Sequence, residues 1–385
     1  MDAEIKTKIV REGAAEIVVY EGKITKQDPV FFNPDMKFNR DVSVACLKAF
    51  GKMRAHDQDE SGPEVNAQKI TVCDVLSGSG IRGIRYLLEV PDIELAVLND
   101  LNPTAVSIIR KNVEHNKITN AVVEKMDANV LLSINKNKFT FIDIDPFGSP
   151  AFFIESAGRA IWHNGLIAAT ATDLGPLAGT YPTTCKRRYE AKSLKSDIMH
   201  ETGIRILTGY MIRTLAKYDV GFMPILSFAS RHYYRIFGTA TRRRSSADKA
   251  VANIGFFLYC HKCGERRFSE INSGLCSCGN ALDFAGPLYT GNICDTEFIE
   301  RIERTDDNRI KKFLEILLEE SKVNGMLYDI HEISSKNRIS PAKTDTVLKK
   351  LREQGYTATR SVFEGPKIRT DAPLSEIIKS IQIIP

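Results

Sequence analysis

Residues 69–83 read KITVCDVLSGSGIRG, and this stretch decides the fold. The run 70–75 is β-branched and apolar enough for a buried parallel strand, with Asp74 near its end. The small residues Ser77-Gly78-Ser79-Gly80 follow, and then a helix over 81–89. A turn of small residues between strand and helix lets a nucleotide-like ligand approach the backbone closely. Gly78, Gly80 and Gly83 stand at the offsets of a dinucleotide fingerprint, but the chain that follows argues against a dinucleotide. The next strand, 94–100 (ELAVLND), ends in Asp100, an acid placed to bind the two hydroxyls of a ribose. A third strand, 121–126, ends in Asp127-Ala128, placed for an adenine amine and ring nitrogen. Acid-tipped strands in succession, with no second glycine-rich phosphate site and no phosphate-binding lysine, fit a cofactor without a pyrophosphate. S-adenosylmethionine is such a cofactor.

The fourth strand opens 139–150, FTFIDIDPFGSP. An apolar run carries Asp143 and Asp145 and then turns through Pro146, Phe147 and Gly148. An acid followed by Pro and an aromatic, at the tip of a buried strand, suits methylation of an exocyclic amine: the carboxylate accepts from the NH₂ and the ring holds a base pulled from its stack. Methyl transfer is an in-line displacement, so the protein mainly positions the amine. Asp145 is the expected acceptor and proton acceptor, with Phe147 stacking on the base. Asp143 sits nearer the cofactor methyl by strand position, or is buried structure. The competing reading makes the tetrapeptide ordinary loop punctuation, with Asp145 as a helix cap.

Further motifs occur in order: Asn33-Pro34, Asn39-Arg40-Asp41, SGSGIRGIR at 77–85, DIDPFGSP at 143–150, Ala171-Thr172-Asp173 and HETGIRIL at 200–207. Together they resemble the archaeal and eukaryotic tRNA guanine-N2 dimethyltransferase family, which modifies guanine 26 of tRNA. The resemblance runs from about residue 29 to LREQGYTATR at 351–360. It implies S-adenosylmethionine as cofactor and tRNA as partner, with Arg40 and Arg82 pairing the methionine carboxylate. It also implies Asp100 on the ribose and Asp127 with Ala128 on the adenine. Two other classes fit the chain less closely. One is an amino-methylase acting on another base in rRNA or DNA. The other is a non-catalytic RNA-binding scaffold, against which the retained Asp100, Asp127 and Asp145 argue.

At 385 residues the chain has room for two or three domains. A net charge of +5 excludes a generic polycation. Its basic residues nevertheless cluster, at Lys186-Arg187-Arg188, Lys192, Lys195 and Arg242-Arg243-Arg244. Such clusters suit phosphate contacts, although a charge run is also a common solvated face. The beginning MDAEIKTKIV has no signal-peptide pattern, and no apolar run reaches membrane-spanning length. Eight cysteines in a chain of this length read as reduced thiols of a cytoplasmic protein. No obligatory protein partner is evident.

The pattern predicts a hairpin over 15–20 and 23–25, then a helix over 40–56 capped by Asn39. A loop over 56–68 separates these from a doubly wound α/β sheet over 68–241. Within it a helix opens at Ser149 or Pro150 and runs to 162, stopped by Gly165. A strand over 165–172, an irregular segment over 173–197, a helix over 199–218 and closing strands over 220–228 and 233–241 complete a Rossmann-like class I methyltransferase domain, 1–241. His200, at the start of that long helix, reads as a cap or core partner rather than a base.

Residues 242–295, opening on a polar junction over 242–253, are expected to form a zinc-knuckle insertion. Cys260-x-x-Cys263 and Cys276-x-Cys278 supply four thiolates for a closed tetrahedral site. The second pair is one residue shorter than usual, and the alternative is a loop of free cysteines. His261 and Cys294 fit less well as ligands. Residues 296–385 read as helices over 297–321, 328–335 and 340–354, then a hairpin over 356–363 and 367–370. This is a winged-helix-like α+β domain that either binds nucleic acid or packs as a module. Lys343, Lys349, Lys350, Arg352, Arg360, Lys367 and Arg369 favour RNA backbone.

Overall fold

The computed structural model describes residues 7–21, 30, 32–61, 69–303 and 305–382. The chain opens with an antiparallel hairpin of β1 (Thr7–Glu12) and β2 (Ala15–Tyr20). The expected strand at 15–20 thus pairs with the residues before it. The segment 23–25, expected as its partner, lies outside the described residues. Gly13 makes the turn at φ 59°, where a Cβ would run into the Glu89 carboxylate.

A 3₁₀ turn, Pro34–Met36, is capped by Asn33, whose Oδ1 accepts from the Asp35 N–H at 2.9 Å. It leads directly into α1 (Lys37–Ser61). Asn39 is therefore an interior helix residue, fully buried, and not the expected cap. Then follow β3 (Ile70–Asp74), α2 (Ile81–Glu89), β4 (Ile93–Asn99), α3 (Pro103–His115), β5 (Ala121–Glu124), α4 (Ala128–Ile134) and β6 (Phe139–Ile144). After them come α5 (Ala151–Ala160), β7 (Ile161–Ala171), α6 (Leu174–Leu177), α7 (Pro182–Tyr189), α8 (Met199–Ala216), β8 (Val220–Ser230) and β9 (Tyr233–Arg242).

These strands form one sheet of order β5-β4-β3-β6-β7-β9-β8, in which only the pairs made by β9 are antiparallel. All six residues of β6 are buried, as a central parallel strand between helical layers requires. Chain order reverses between β3 and β6, so their carboxyl ends diverge and open a crevice there. That crevice positions the site.

Three local expectations change. The helix expected to reach 162 ends at Ala160, because Ile161 already pairs with Phe139. Gly165 lies inside β7, where a Cβ would clash with the Ile161 side chain and approach Thr140 O to 3.0 Å. The segment 173–197 is not irregular throughout: α6 buries Leu177, and α7 buries Cys185 and Tyr189.

Past β9 the expected polar junction is a helix, α9 (Arg244–Val251). A three-stranded antiparallel sheet of order β11-β10-β12 follows, from β10 (Ile254–Tyr259), β11 (Arg266–Ser269) and β12 (Asp283–Tyr289). It lies flush on α8, where a Cβ on Gly209 would come within 3.0 Å of Leu288 Cα.

The single helix expected over 297–321 is two, α10 (Thr296–Glu300) and α11 (Asn308–Ser321), each begun by an aspartate cap, Asp295 and Asp307. Next come β13 (Met326–Asp329), α12 (Ile330–Asn337), α13 (Thr344–Glu353), β14 (Ala358–Arg360), β15 (Lys367–Thr370) and α14 (Leu374–Ile381). Tyr328 belongs to β13, because Asp329 caps α12 through the His331 and Glu332 amides. The last sheet has order β13-β15-β14. Its helices keep a small core of their own, including Ile333, Leu351, Ile368 and Ile377. Ile310, Leu317, Leu327 and Phe363 instead join the main core, so this unit is welded to the rest. Among the described residues no helix is long and apolar enough to cross a membrane.

Candidate active site

A cavity of about 750 Å³ occupies the crevice. Its lining includes Asp74, Ser77, Gly78, Ser79, Asp100, Arg40, Arg82, Asp145, Pro146 and Phe147. Segments far apart in the chain thus converge where the sheet topology opens.

The turn after β3 forms because Gly78 and Gly80 take left-handed φ values of 56° and 80°. Asp100, at the end of β4, ties that turn down. Its Oδ2 accepts from the Gly78 N–H at 2.9 Å and its Oδ1 from the Asn102 N–H at 2.9 Å. Asp74 is 1% exposed and accepts from the Gly83 N–H at 3.1 Å. Burial, with the Asp143 charge beside it, pushes its carboxyl up to about 7. Asp74 was missed as a site residue. Its signal was an acid four residues ahead of the first glycine of the turn.

Beyond β6, Asp145 lines the cavity and pairs with Arg82. Arg82 also donates to Asn39 Oδ1 at 2.9 Å and Ser43 Oγ at 3.1 Å. Gly148, at φ 91°, closes the turn against β7. Its N–H donates to Thr172 Oγ1 at 2.7 Å, and the Thr172 N–H returns to its carbonyl at 2.8 Å. Phe147, held between these points, is 61% exposed.

The remaining expected residues stand differently. Asp143 does not line the cavity. It is fully buried below it, gripped by Arg235 through two bonds of 2.7 Å and by the Tyr86 hydroxyl, with Arg82 at 3.6 Å. Burial pushes its carboxyl up, but Arg235 and Arg82 outweigh this and hold it below the ordinary range. Arg40 does reach the cavity, yet its guanidinium is committed to Glu12, with Nε–Oε1 at 2.6 Å. Asp127 caps α4, its Oδ1 accepting from the Asn129 and Val130 amides at 2.9 and 3.1 Å. Neither Asp127 nor the buried Ala128 is among the residues lining the cavity. Phe32, Tyr233 and Phe152 do line it, without having been anticipated. Nothing in their spacing marked them.

A second constellation lies in the β10–β12 unit. The Sγ atoms of Cys260, Cys263, Cys276 and Cys278 all fall within 4.8 Å of one another. Two similar turns bring them together: the Gly264 N–H donates to Cys260 O and the Gly279 N–H to Cys276 O, both at 2.9 Å. Both glycines have positive φ, 86° and 80°. The shorter second pair therefore closes as well as the first.

A sheet of this strand order, with a glycine turn and acid-tipped strands around one crevice, defines a Rossmann-like class I methyltransferase. Residues 7–382 match the family described as N2,N2-dimethylguanosine tRNA methyltransferase, and the chain belongs to that family. It is 39% identical to the tRNA (guanine(26)-N(2))-dimethyltransferase of Methanosphaera stadtmanae, over 96% of this chain and 95% of that one. To the protein of the same name from Thermococcus kodakarensis it is 36% identical, over 97% and 99%. It superposes with a TM-score of 0.86 on Trm1 of Pyrococcus horikoshii, solved with S-adenosyl-L-methionine. That structure is 30% identical and covers 98% of this chain and 100% of its own.

Proposed function

We propose that the crevice holds S-adenosylmethionine beside a guanine drawn out of tRNA, and that the protein dimethylates the N2 amine of guanine 26. The observation that carries this reading is Asp145, cavity-lining and one residue past the β6 tip, two positions before an exposed Phe147. The cofactor, when bound, supplies an electrophilic methyl on a sulfonium. The polar groups present fit such a group: Asp100 beside the glycine turn would accept from a ribose diol, and Arg82 on the cavity wall, with Arg40 held beside it by Glu12, would donate to a carboxylate. For the adenine the family resemblance offers Asp127 and Ala128, at the start of α4 and outside the cavity lining. Asp145 accepts from the guanine amine, aligns its lone pair and takes the released proton. Phe147 stacks on the base. Asp143 positions: its buried charge fixes Arg235 and faces Arg82, which orients Asp145.

The four cysteines fit a structural Zn²⁺, since a tetrahedron of Zn–S bonds sets sulfurs about 3.8 Å apart. The Cys260–Cys278 and Cys263–Cys276 separations are 3.7 and 3.2 Å. Residues 1–241 serve as the catalytic domain, 242–295 as the zinc-knuckle unit and 296–385 as a winged-helix-like RNA-binding domain. The order α11-β13-α12-α13-β14-β15 supports the last assignment, with Lys343, Lys349 and Arg352 exposed about α13. Arg369, earlier counted as an RNA contact, is 6% exposed and turned inward. None of the eight cysteines is paired in a disulfide, which supports a cytoplasmic setting, and the protein is taken to act without an obligatory protein partner.

Transfer of labelled methyl to tRNA, measured beside cofactor binding, tests the central claim. Asp145→Ala should lose about 10²–10⁴ in rate with cofactor affinity retained, and Asp145→Asn should keep a fraction. Wild-type turnover by Asp145→Ala overturns the reading.

A further inference from the structure

Among the described residues, the rim of the crevice carries two exposed phenyl rings, Phe147 and Phe152, at 61% and 62%. The proposed chemistry, on which this inference rests, uses only the first. A single exposed apolar side chain is common and needs no explanation. This one, however, is set into a built arrangement. Phe152 is the second residue of α5, flanked by the buried Ala151 and by Phe153, which packs against the core. The Arg188 guanidinium lies over its ring at 5.6 Å. Arg188 is itself fixed by Asp173, Nη1–Oδ2 2.7 Å, and Asp173 by the Tyr189 hydroxyl at 2.7 Å. Tyr189 reaches Ser149 at 2.6 Å, so the same hydroxyl chain supports the turn that presents Phe147. Beside it α7 exposes Lys186 and Arg187.

A ring and a guanidinium plane next to exposed cations match single-stranded nucleic acid, in which bases stack on aromatic and Arg faces while cations follow the phosphates. Drawing a nucleotide out of the stack leaves its neighbour with an uncovered face. We propose that Phe152, braced by Arg188, stacks on the nucleobase adjacent to the target guanine, and that Lys186 and Arg187 hold the flanking phosphates. Phe152 then acts on tRNA engagement and has no part in the chemical step.

A Phe152→Trp variant reads this directly, because a stacked base quenches indole emission. The chain has one natural tryptophan, Trp162, whose signal is subtracted with the wild type. Saturating tRNA should quench the new indole. An abasic site at one of the two neighbours of the target should restore emission, and an abasic site at the target itself should not. In turnover, Phe152→Ala should raise KM for tRNA about 5- to 150-fold, the equivalent of one stacking contact, with kcat within about twofold. Phe152→Tyr should restore KM. Emission indifferent to saturating tRNA, or quenching that survives loss of both neighbouring bases, overturns the proposal. Because quenching requires no turnover, it stays separate from the functional reading, which fails instead if the wild type transfers no methyl to tRNA.

Discussion

Two buried charge sets are built from the same parts, two carboxylates and two arginines each, and are finished differently. Under the crevice, Asp143 and Asp145 face Arg82 and Arg235. Where the last unit meets α8, Glu201 and Glu320 face Arg205 and Arg369. The second set is closed. Glu320 also accepts from Ser361 Oγ and the Val362 N–H, and Arg205 and Arg369 donate their spare N–H groups to the Tyr289, Gly291 and Gly325 carbonyls. Among the described residues it has no unpartnered buried polar atom. The crevice set does: Asn39 Nδ2 and Arg235 Nε are buried without partners, and Asp145 reaches the cavity 20% exposed. A network serving only architecture can satisfy every atom. One that must present a carboxylate to a substrate leaves itself incomplete.

The comparison breaks most readily when one cation is removed. Arg369→Met leaves Glu320 without a cation and Glu201 with Arg205 alone, and Arg235→Met leaves Asp143 only the more distant Arg82; each should cost about 3–5 kcal/mol in denaturant unfolding. Replacing buried carboxylates together with their arginines separates the two. With Glu201 and Glu320 changed to Leu and Arg205 and Arg369 to Met, stability should stay near wild type and methyl transfer should persist. Asp143→Leu with Arg235→Met should fold yet lose about 10² or more in rate, because Arg82 loses its reference point. Equal rates for the two replacements would refute the distinction.

Acid and base should act in opposite senses on the two regions. Burial pushes Glu201 up, but Arg369 and Arg205 outweigh it and bring the carboxyl to about 2, below the 4.5 of an unfolded chain. Its stabilisation is complete above 4.5 and is lost as pH falls towards 2. Asp74, at about 7 against 3.8 unfolded, contributes fully below 3.8, and that contribution is lost as pH rises through 7. The effects are on the order of 3 kcal/mol for Glu201 and 4 kcal/mol for Asp74. Melting curves of Asp74→Asn and Glu201→Gln against pH should each remove one of the two slopes.

A smaller effect is confined to the crevice. Asp100→Ala removes the carboxylate that accepts from two backbone N–H groups, and with it a ribose partner, and should weaken S-adenosylmethionine by about 2–3 kcal/mol in calorimetry. Smallest should be the reach of the cysteine cluster: Cys260→Ser should release one equivalent of zinc and speed hydrogen exchange in β10–β12 while methyl transfer falls less than about tenfold. Purified wild type without zinc would remove that expectation.

The sheet was legible in sequence because its strands are continuous apolar runs ended by acids, and the crevice followed from topology. Asp100, Arg40, Arg82, Asp145 and Phe147 all came together there. Asp143 carried two readings, beside the cofactor methyl or buried structure, and its burial matches the second; strand position says where an acid stands along the sheet but not which cation reaches it. Arg235 was the available clue, an arginine inside an apolar strand, HYYRIFG. Arg369 looked like a surface base because its partner Glu201 lies 168 residues away, beyond any local pattern. Asn39 read as a helix cap because side-chain capping competes with burial on equal terms until Arg82 is placed beside it.

That 168-residue separation also has a meaning in time. A ribosome adding about 5–20 residues per second delivers Arg369 roughly 8–30 seconds after Glu201. Until then Glu201 has only Arg205 beside it, and α8 cannot settle into its final surroundings. The catalytic sheet is complete in sequence by Arg242, yet α8, an 18-residue helix, waits for Arg369. The nascent enzyme therefore finishes its crevice before it finishes the helix that supports it.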